Sequence, residues 1–425
     1  MNFKIKEEVK LVLDHLSNNG FESYVVGGCV RDKLLNKKPK DWDVTTSAKP
    51  ENIIKLFRNF SVVPTGLKHG TVTVIINKYN IEITTYRIDG EYIDNRRPEN
   101  IKFTASLKED LSRRDFTINA MAYNEEQGLV DFFGGQRDLN RRLIKCVGDS
   151  YKRFSEDALR MMRAVRFSCQ LNFDLDETIF SGIEKLINNL DYISKERIRD
   201  EFFKALDSNN PEKIILFYKT KIIKYVFPEM FILIDENKLK IALRAINSIV
   251  DIKDKVYLKL TLFFIEIINN KEQIKSIPID RILKKLKLDN ITIKYTVILL
   301  ENSFLNINED KICIKKILNK IGDDLFCDLL IIKEAIFTLK TDINKSEKIE
   351  IFERIKMVYN DIKNNKECYN KSCLNINGKD LMDLGIKEGK EIGIIIDKLV
   401  DYIIYNPKKN NKKSLAEYIK NANYN

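Results

Sequence analysis

A chain of 425 residues, 44% hydrophobic and 32% charged, has the apolar content to build roughly two to four domains. Its formal net charge of +11 suits a polyanionic partner such as nucleic acid, although much of the lysine travels with isoleucine and asparagine, as a base-composition bias would also produce. Two histidines exclude a histidine-rich metal centre, seven cysteines without CxxC spacing read as reduced cytosolic thiols, and no stretch reads as a secretion signal or membrane span.

Ile5, Val9, Val12, Leu13 and Leu16 recur at helical spacing, and Asn18-Asn19-Gly20 stops the helix they define. His15 lies on that helix as a boundary residue. Tyr24 to Val26 reads as a short strand, after which Gly27-Gly28 lets the backbone turn sharply with no Cβ in the way. The helical segment 30–35 starts at those glycines, so free N–H groups and its N-terminus favour a phosphate that Arg31 can clamp.

Asp41-Trp42-Asp43 follows. Residues two apart on a strand share a face, which would put both carboxylates together and turn Trp42 toward the core. Two adjacent carboxylates repel, and a divalent cation between them relieves the repulsion. Oxygen ligands that share the cation with water and substrate phosphate describe magnesium. Alone, a Gly-Gly turn is any loop and an Asp-x-Asp any solvated strand end; their spacing here sets the stretch apart.

Pro50, Ile53, Ile54, Leu56 and Phe57 predict a short helix within 47–60, and Thr71 to Ile76 with Asn80 to Tyr86 predict a hairpin turning at 77–80. Glu82 is placed on one face with Thr84 and Tyr86, as a third acidic group or as an ordinary solvated carboxylate. The segment 87–102 contains Arg96-Arg97-Pro98 and has no apolar period, so it reads as a mobile charged loop. A helical region is expected over 107–123, where adjacent Arg113 and Arg114 suit a triphosphate and Asp115 or Asn119 a sugar hydroxyl; a surface charge cluster would look similar. A strand over 129–133, a Gly134-Gly135 turn, a helix over 136–142 and a strand over 143–147 close the mixed α/β part near Gly148.

Beyond Gly148 the pattern is helical. Glu156-Asp157-x-x-Arg160-x-x-Arg163-x-x-Arg166 places acid and base along one helical face. A carboxylate that accepts from an exocyclic amine beside a guanidinium that donates to a ring nitrogen can read cytosine or adenine. A salt-bridge ladder on a solvated helix has the same spacing. Ser194 caps a further helix, although Arg197 stands where a capping box needs Glu or Gln. Gly378, Gly385, Gly389 and Gly393 mark short helices that can approach a nucleic-acid backbone or simply turn tightly, and Lys408-Lys409 and Lys412-Lys413 favour phosphate.

Taken together, these stretches resemble the class II CCA-adding tRNA nucleotidyltransferases, with the bacterial poly(A) polymerases as close relatives. Gly-Gly-Cys-Val-Arg-Asp with Asp41-Trp42-Asp43 is similar to the family's first motif, and the likeness continues through Arg96-Arg97-Pro98, Arg113 to Ala120, Glu156 to Phe167 and, more diffusely, Gly378 to Tyr402. The resemblance implies an α+β fold: a polymerase-β-like head with a mixed sheet (1–148), then a helical neck (149–208), body (209–345) and tail (346–425). It implies transfer of nucleotides from CTP and ATP to the 3′ end of tRNA with release of pyrophosphate, with Asp41 and Asp43 as catalytic residues holding two Mg2+ ions. Gly28, Arg31 and Arg114 would contact the nucleotide, and Asp157 and Arg160, supported by Arg163 and Arg166, would choose the base without a nucleic-acid template. No membrane or protein partner is implied, and the location is cytoplasmic. Poly(A) addition or A-only addition stays open within the family. Outside it stand a small-molecule nucleotidyltransferase and an inactive RNA-binding relative.

Overall fold

The computed structural model describes residues 3–90, 92–93, 97–98, 101–268, 270–340 and 345–422. Helix α1 (Glu7–Ser17) buries Val9, Val12, Leu13 and Leu16, the stripe its periodicity predicts. There follow β1 (Ser23–Val26), α2 (Gly28–Leu34), β2 (Asp43–Thr46), α3 (Pro50–Leu56), β3 (Ser61–Gly66), β4 (Thr71–Ile76) and β5 (Tyr79–Thr85). Asn77 and Lys78, both with positive φ, make the β4–β5 turn, as a two-residue hairpin requires. Next come β6 (Arg87–Asp89), β7 (Tyr92–Ile93), β8 (Arg97–Pro98), β9 (Ile101–Phe103), α4 (Leu107–Ser112), β10 (Ala122–Asn124), β11 (Gly128–Val130), α5 (Gly135–Asn140) and β12 (Leu143–Ile144).

Seven strands form one mixed sheet in the order β11-β10-β1-β2-β5-β4-β3. Strand β1 runs antiparallel to β10 and β2, and β2 runs parallel to β5, so the ends of β1 and β2 at Val26 and Asp43 meet in the middle of the sheet. All four residues of β1 are buried, as a strand covered on both faces demands. Tyr24, Val26, Tyr86, Leu107, Leu111 and Ala122 make one core on this sheet. The central strands are therefore a rigid base for whatever stands at their ends.

Several expectations change in the structure. The helix expected over 107–123 stops at Ser112; a 3-10 turn (Thr117–Asn119) and strand β10 follow. Long-range pairing overrides local propensity there, because Thr117 N–H donates to Lys145 O and Phe116 bridges to Cys146. Tyr86 does not share the exposed face of Glu82: β5 ends at Thr85, and Tyr86 turns into the core. Trp42 is half-buried, and Asp41 precedes β2 instead of lying on it. The segment expected to be a charged loop is bounded by a β6–β9 ladder and carries a β7–β8 pair, while residues 91, 94–96 and 99–100, Arg96 among them, lie outside the described residues.

The chain divides into two compact units, Met1–Ile232 and Leu233–Asn425. The first also contains α6 (Ser150–Glu156), α7 (Leu159–Leu171), β13 (Asp174–Leu175), α8 (Glu177–Leu186) and α9 (Lys195–Leu206), with β13 pairing parallel to β12. The second is all-helical among the described residues, from Glu236–Ser248 to Lys412–Asn421. Its final part packs Leu381, Ile395, Leu399, Ile403, Leu415 and Ile419 into a core of their own. Among the described residues no helix is long and apolar enough to cross a membrane. One cysteine expectation is overturned: Cys368 and Cys373, with Cα atoms 5.3 Å apart, form a disulfide. The turn between them brings the thiols together, which their spacing alone does not signal. Cys29, Cys146, Cys169, Cys313 and Cys327 are free thiols.

Candidate active site

Gly27 has φ +79° and caps α2, and a Cβ on it would come 3.1 Å from Arg114 Nη1. Both the left-handed backbone and the close guanidinium require glycine there. Gly28 begins the helix, and its Cβ position is 3.6 Å from Arg31 Nη2. The Arg31 side chain is buried; its Nε and Nη2 donate to Asp32 Oδ1 at 2.9 and 2.7 Å, and Nη1 donates to Asn119 Oδ1 at 2.7 Å. That guanidinium is held in one place before any ligand arrives.

Asp43 begins β2, paired in register with Val26 on one side and Glu82 on the other. Burial raises its carboxyl, Arg114 opposes the shift, and Glu82 and Asp41 add to it; the net effect pushes it up to about 6. Negative charge crowded around a half-buried carboxylate is what a bound cation relieves, so the pair Asp41 and Asp43 fits a divalent metal. Among the described residues no group of three or more His, Cys, Asp or Glu side chains is placed to hold one. Two carboxylates with the remaining positions left to water and substrate oxygens is the ligand economy of magnesium.

Arg113 and Arg114 follow α4 and are governed by a residue that spacing did not single out. Asp110, fully buried, accepts from Arg113 Nε and Nη2 at 3.0 and 2.8 Å, from Arg114 Nη2 at 3.5 Å and from Thr45 Oγ1 at 3.1 Å. Burial works to raise its carboxyl, but the two arginines outweigh burial and hold it below the usual range. Arg113 also pairs with Asp89 of β6 at 3.8 Å. The signal was present as an acid three and four residues before two arginines at the end of a helix.

Asp115 is buried as well, accepting from Arg163 Nε and Nη2 at 2.8 and 2.6 Å and from Asn119 Nδ2 at 3.2 Å. Although burial raises its carboxyl, Arg163 dominates the balance and brings it to about 2. Arg166 pairs with Glu201 of α9 and donates to Gln170 at 2.8 Å. Arg31, Arg163 and Arg166 all stand over the Phe167 ring, at 5.2, 5.3 and 4.0 Å from its centroid. The face of an aromatic ring attracts cations, so Phe167 lets three guanidiniums share one wall.

Asp157 and Arg160 lie on one stretch but not on one helix. Asp157 ends α6 with extended backbone (φ −140°, ψ 105°), and its Oδ1 accepts from Leu159 N–H at 3.1 Å at the start of α7. The chain breaks between the two helices, which a run of residues at steps of three does not reveal. Arg160 is held by Glu156, by Arg153 O at 3.1 Å and by Arg113 O at 3.0 Å. The arginines therefore do not form a ladder on a solvated face: Arg160 and Arg166 are buried, and their partners come largely from other elements.

A cavity of about 590 Å³ gathers Gly28, Arg31, Asp41, Asp43, Arg114, Asp157, Arg160, Arg163 and Arg166 along its wall. Asp43 also lines two neighbouring cavities. One, of about 200 Å³, is bordered by Glu82, Thr84 and Arg87; the other, of about 590 Å³, is bordered by Lys37, Lys38, Lys40 and Lys204. His15 Nε2 donates to Leu56 O at 3.0 Å and His69 is exposed; neither lines these cavities.

Residues 23–145 match the family model of the poly A polymerase head domain, and residues 172–233 match that of the probable RNA and SrmB-binding site of polymerase A. A CCA-adding enzyme of Ligilactobacillus salivarius is 34% identical over 416 residues, which span 96% of this chain and 95% of that protein. One from Staphylococcus aureus is 42% identical over 213 residues, 50% of this chain and 53% of that protein. Among solved structures, the Bacillus stearothermophilus CCA-adding enzyme in complex with CTP aligns with a TM-score of 0.78 at 27% identity, over 99% of this chain and 98% of that one. The Thermotoga maritima CCA-adding enzyme complexed with tRNA shares the fold, with a TM-score of 0.66 at 23% identity over 98% and 96% of the two chains.

Proposed function

The chain belongs to the CCA-adding enzyme family, and on that premise we propose that it completes the 3′ end of tRNA from CTP and ATP, without a nucleic-acid template, releasing pyrophosphate. The observation that carries the site assignment is convergence: residues from four separate stretches, 27–43, 113–119, 157–167 and 197, line one cavity whose wall includes both the carboxylate pair Asp41 and Asp43 and the pair Asp157 and Arg160.

In this reading Gly28 and Arg31 take the phosphates, Arg114 neutralises the triphosphate, and Arg163 and Arg166 hold the cationic wall. Asp157 accepts from the exocyclic amine of cytosine or adenine, and Arg160 donates to the adjacent ring nitrogen. Uracil and guanine present the reverse pattern on that edge, which is how two amino acids can choose two of four bases. Asp41 and Asp43 would hold Mg2+, whose chemistry is to favour ionisation of the 3′-hydroxyl and to stabilise charge on the phosphate oxygens. The 3′-oxygen attacks the α-phosphorus, the bond from that phosphorus to pyrophosphate breaks, and the hydroxyl proton passes to water. Attack and departure lie in line, and the two neighbouring cavities that Asp43 also lines divide the work. The RNA end enters beside Glu82 and Arg87, and pyrophosphate leaves past Lys37, Lys38, Lys40 and Lys204. We further divide the chain functionally into head (1–148), neck (149–208), body (209–345) and tail (346–425), the tail gripping tRNA, and place the protein in the cytoplasm with its substrates.

The test is to incubate tRNA lacking its terminal CCA with CTP and ATP and to sequence the product ends. Ends completed as CCA support the proposal. Adenosine alone or a long adenosine tract would turn the reading to an A-adding or poly(A) relative, and tRNA binding without any extension would turn it to an RNA-binding one. In the same assay Asp41→Ala and Asp43→Ala are expected to keep tRNA affinity within about twofold while lowering incorporation by about 1,000-fold or more.

A further inference from the structure

Asp157 and Arg160 carry opposite charges three residues apart, and if they paired with each other neither would be left to read a base. In the structure each has partners of its own. Arg160 is engaged by Glu156, Arg153 O and Arg113 O. Asp157 is engaged from α9, where Arg197 Nη2 donates to Asp157 Oδ2 at 3.0 Å while Leu159 N–H holds Oδ1 at 3.1 Å. With one donor on each oxygen, the carboxylate is fixed in rotation yet each oxygen retains a lone pair. Arg197 lines the same cavity as Asp157 and Arg160, and its Nη1 is buried with no hydrogen-bond partner among the described residues. A buried donor left unmade is costly, and a ligand in the cavity is what would satisfy it.

We infer that Arg197 is a specificity-determining positioning residue: from α9 it orients the Asp157 carboxylate as an acceptor for the amino group of cytosine or adenine, and so sets the discrimination against uracil and guanine. The inference rests on the reading of Asp157 as a base-selecting group. Arg197 works through Asp157, so its loss should act on base choice more than on the chemical step. Lysine supplies charge and a donor but not the fixed fork, so it restores part of the effect.

The experiment measures kcat and KM for CTP, ATP, UTP and GTP, on tRNA lacking its last nucleotides, for the full-length protein and for R197Q, R197K, D157N and D157N/R197Q. R197Q is expected to lower the CTP-to-UTP and ATP-to-GTP ratios of kcat/KM by about tenfold or more, mainly through a higher KM for CTP and ATP, with R197K in between. In the D157N background, R197Q is expected to change the ratios by less than about twofold. Equal loss for all four nucleotides, or a full R197Q effect in the D157N background, would overturn the inference. If D157N itself keeps the wild-type ratios, the reading of Asp157 falls and this inference with it; changed ratios in D157N with unchanged ratios in R197Q overturn the inference alone. Should R197Q fail to fold, as thermal unfolding would reveal, R197K carries the same comparison, and wild-type ratios in R197K then overturn it.

Discussion

At the level of single residues, the site is governed by buried carboxylates that hold its arginines in place. Asp110 is fully buried and binds two neighbouring arginines, so the amide in Asp110→Asn keeps the shape but leaves two guanidiniums without their counter-charge. We expect this variant to lose about 3 kcal/mol of stability in urea unfolding and to raise KM for both CTP and ATP, because Arg114 loses its anchor. Asp115 makes a pH-dependent contribution whose sign follows from its carboxyl lying at about 2 against an ordinary 3.8. A depressed carboxyl stabilises the fold above its unfolded value and loses that contribution as pH falls toward its folded one. The stability gap between the wild type and Asp115→Asn should therefore be full above about pH 4, on the order of 2 kcal/mol, and should close as pH falls toward about 2. A gap that stays constant over that window would remove the Arg163 pair as its source. Gly27, Arg31, Asp41 and Asp43 line one cavity because a single turn and the approach to one strand carry all four, which makes their proximity legible locally, although Asp41 precedes the strand it was expected to share with Asp43. Asp110, Arg197 and Glu201 escaped because their partners are distant in sequence, apart from the Asp110 pairs with Arg113 and Arg114 that helical spacing could have suggested.

Between residue and molecule stand the elements, and here glycines decide how closely two of them approach. Helix α5 begins at Gly135, where a Cβ would lie 2.2 Å from Thr117 O and 2.8 Å from Met121 Cγ. Gly135→Ala must push α5 away from the 3-10 turn at Thr117–Asn119, which carries Asn119, the acceptor for Arg31. A destabilisation of about 2–3 kcal/mol, seen as a lower unfolding midpoint, should be accompanied by weaker CTP binding, whereas Gly128→Ala, with open space around it, should not weaken binding. The hairpin β4–β5 was legible because alternation and turn residues agree. The helix expected through 113–123 was not, since Arg113 to Ala120 has no Gly or Pro to stop it and the break is imposed by pairing with Lys145 and Cys146. Asp157 illustrates the opposite error: an Asp ahead of Leu159 is itself a helix-start signal, but the regular steps to Arg160, Arg163 and Arg166 suggested one unbroken helix.

For the molecule as a whole, the relevant quantity is charge placed where RNA can reach it, and the net +11 by itself does not say where that is. Part of the basic run near the end of the chain is already paired: Lys412 lies 2.7 Å from Asp380, and it, Lys408, Lys409 and Lys413 are all exposed. Counter-ions are released only by lysines that meet phosphate, and each such contact adds roughly 0.7–0.9 to the slope of log affinity against log salt. If the tail grips the tRNA backbone, the Lys408, Lys409 and Lys413 triple change to Gln should flatten that slope by about 2–3 and weaken binding most at low salt. Lys412→Gln removes a charge that already has a partner and should change the slope by less than about 1. The KM for CTP should be unaltered in both, because the nucleotide cavity lies in the first unit and contains none of these lysines. Titrations of labelled tRNA at several salt concentrations read the slopes directly. A triple variant with the wild-type slope would mean that the tail does not meet phosphate, and the search for the RNA path would move to the first unit, beginning with Arg87 beside Glu82.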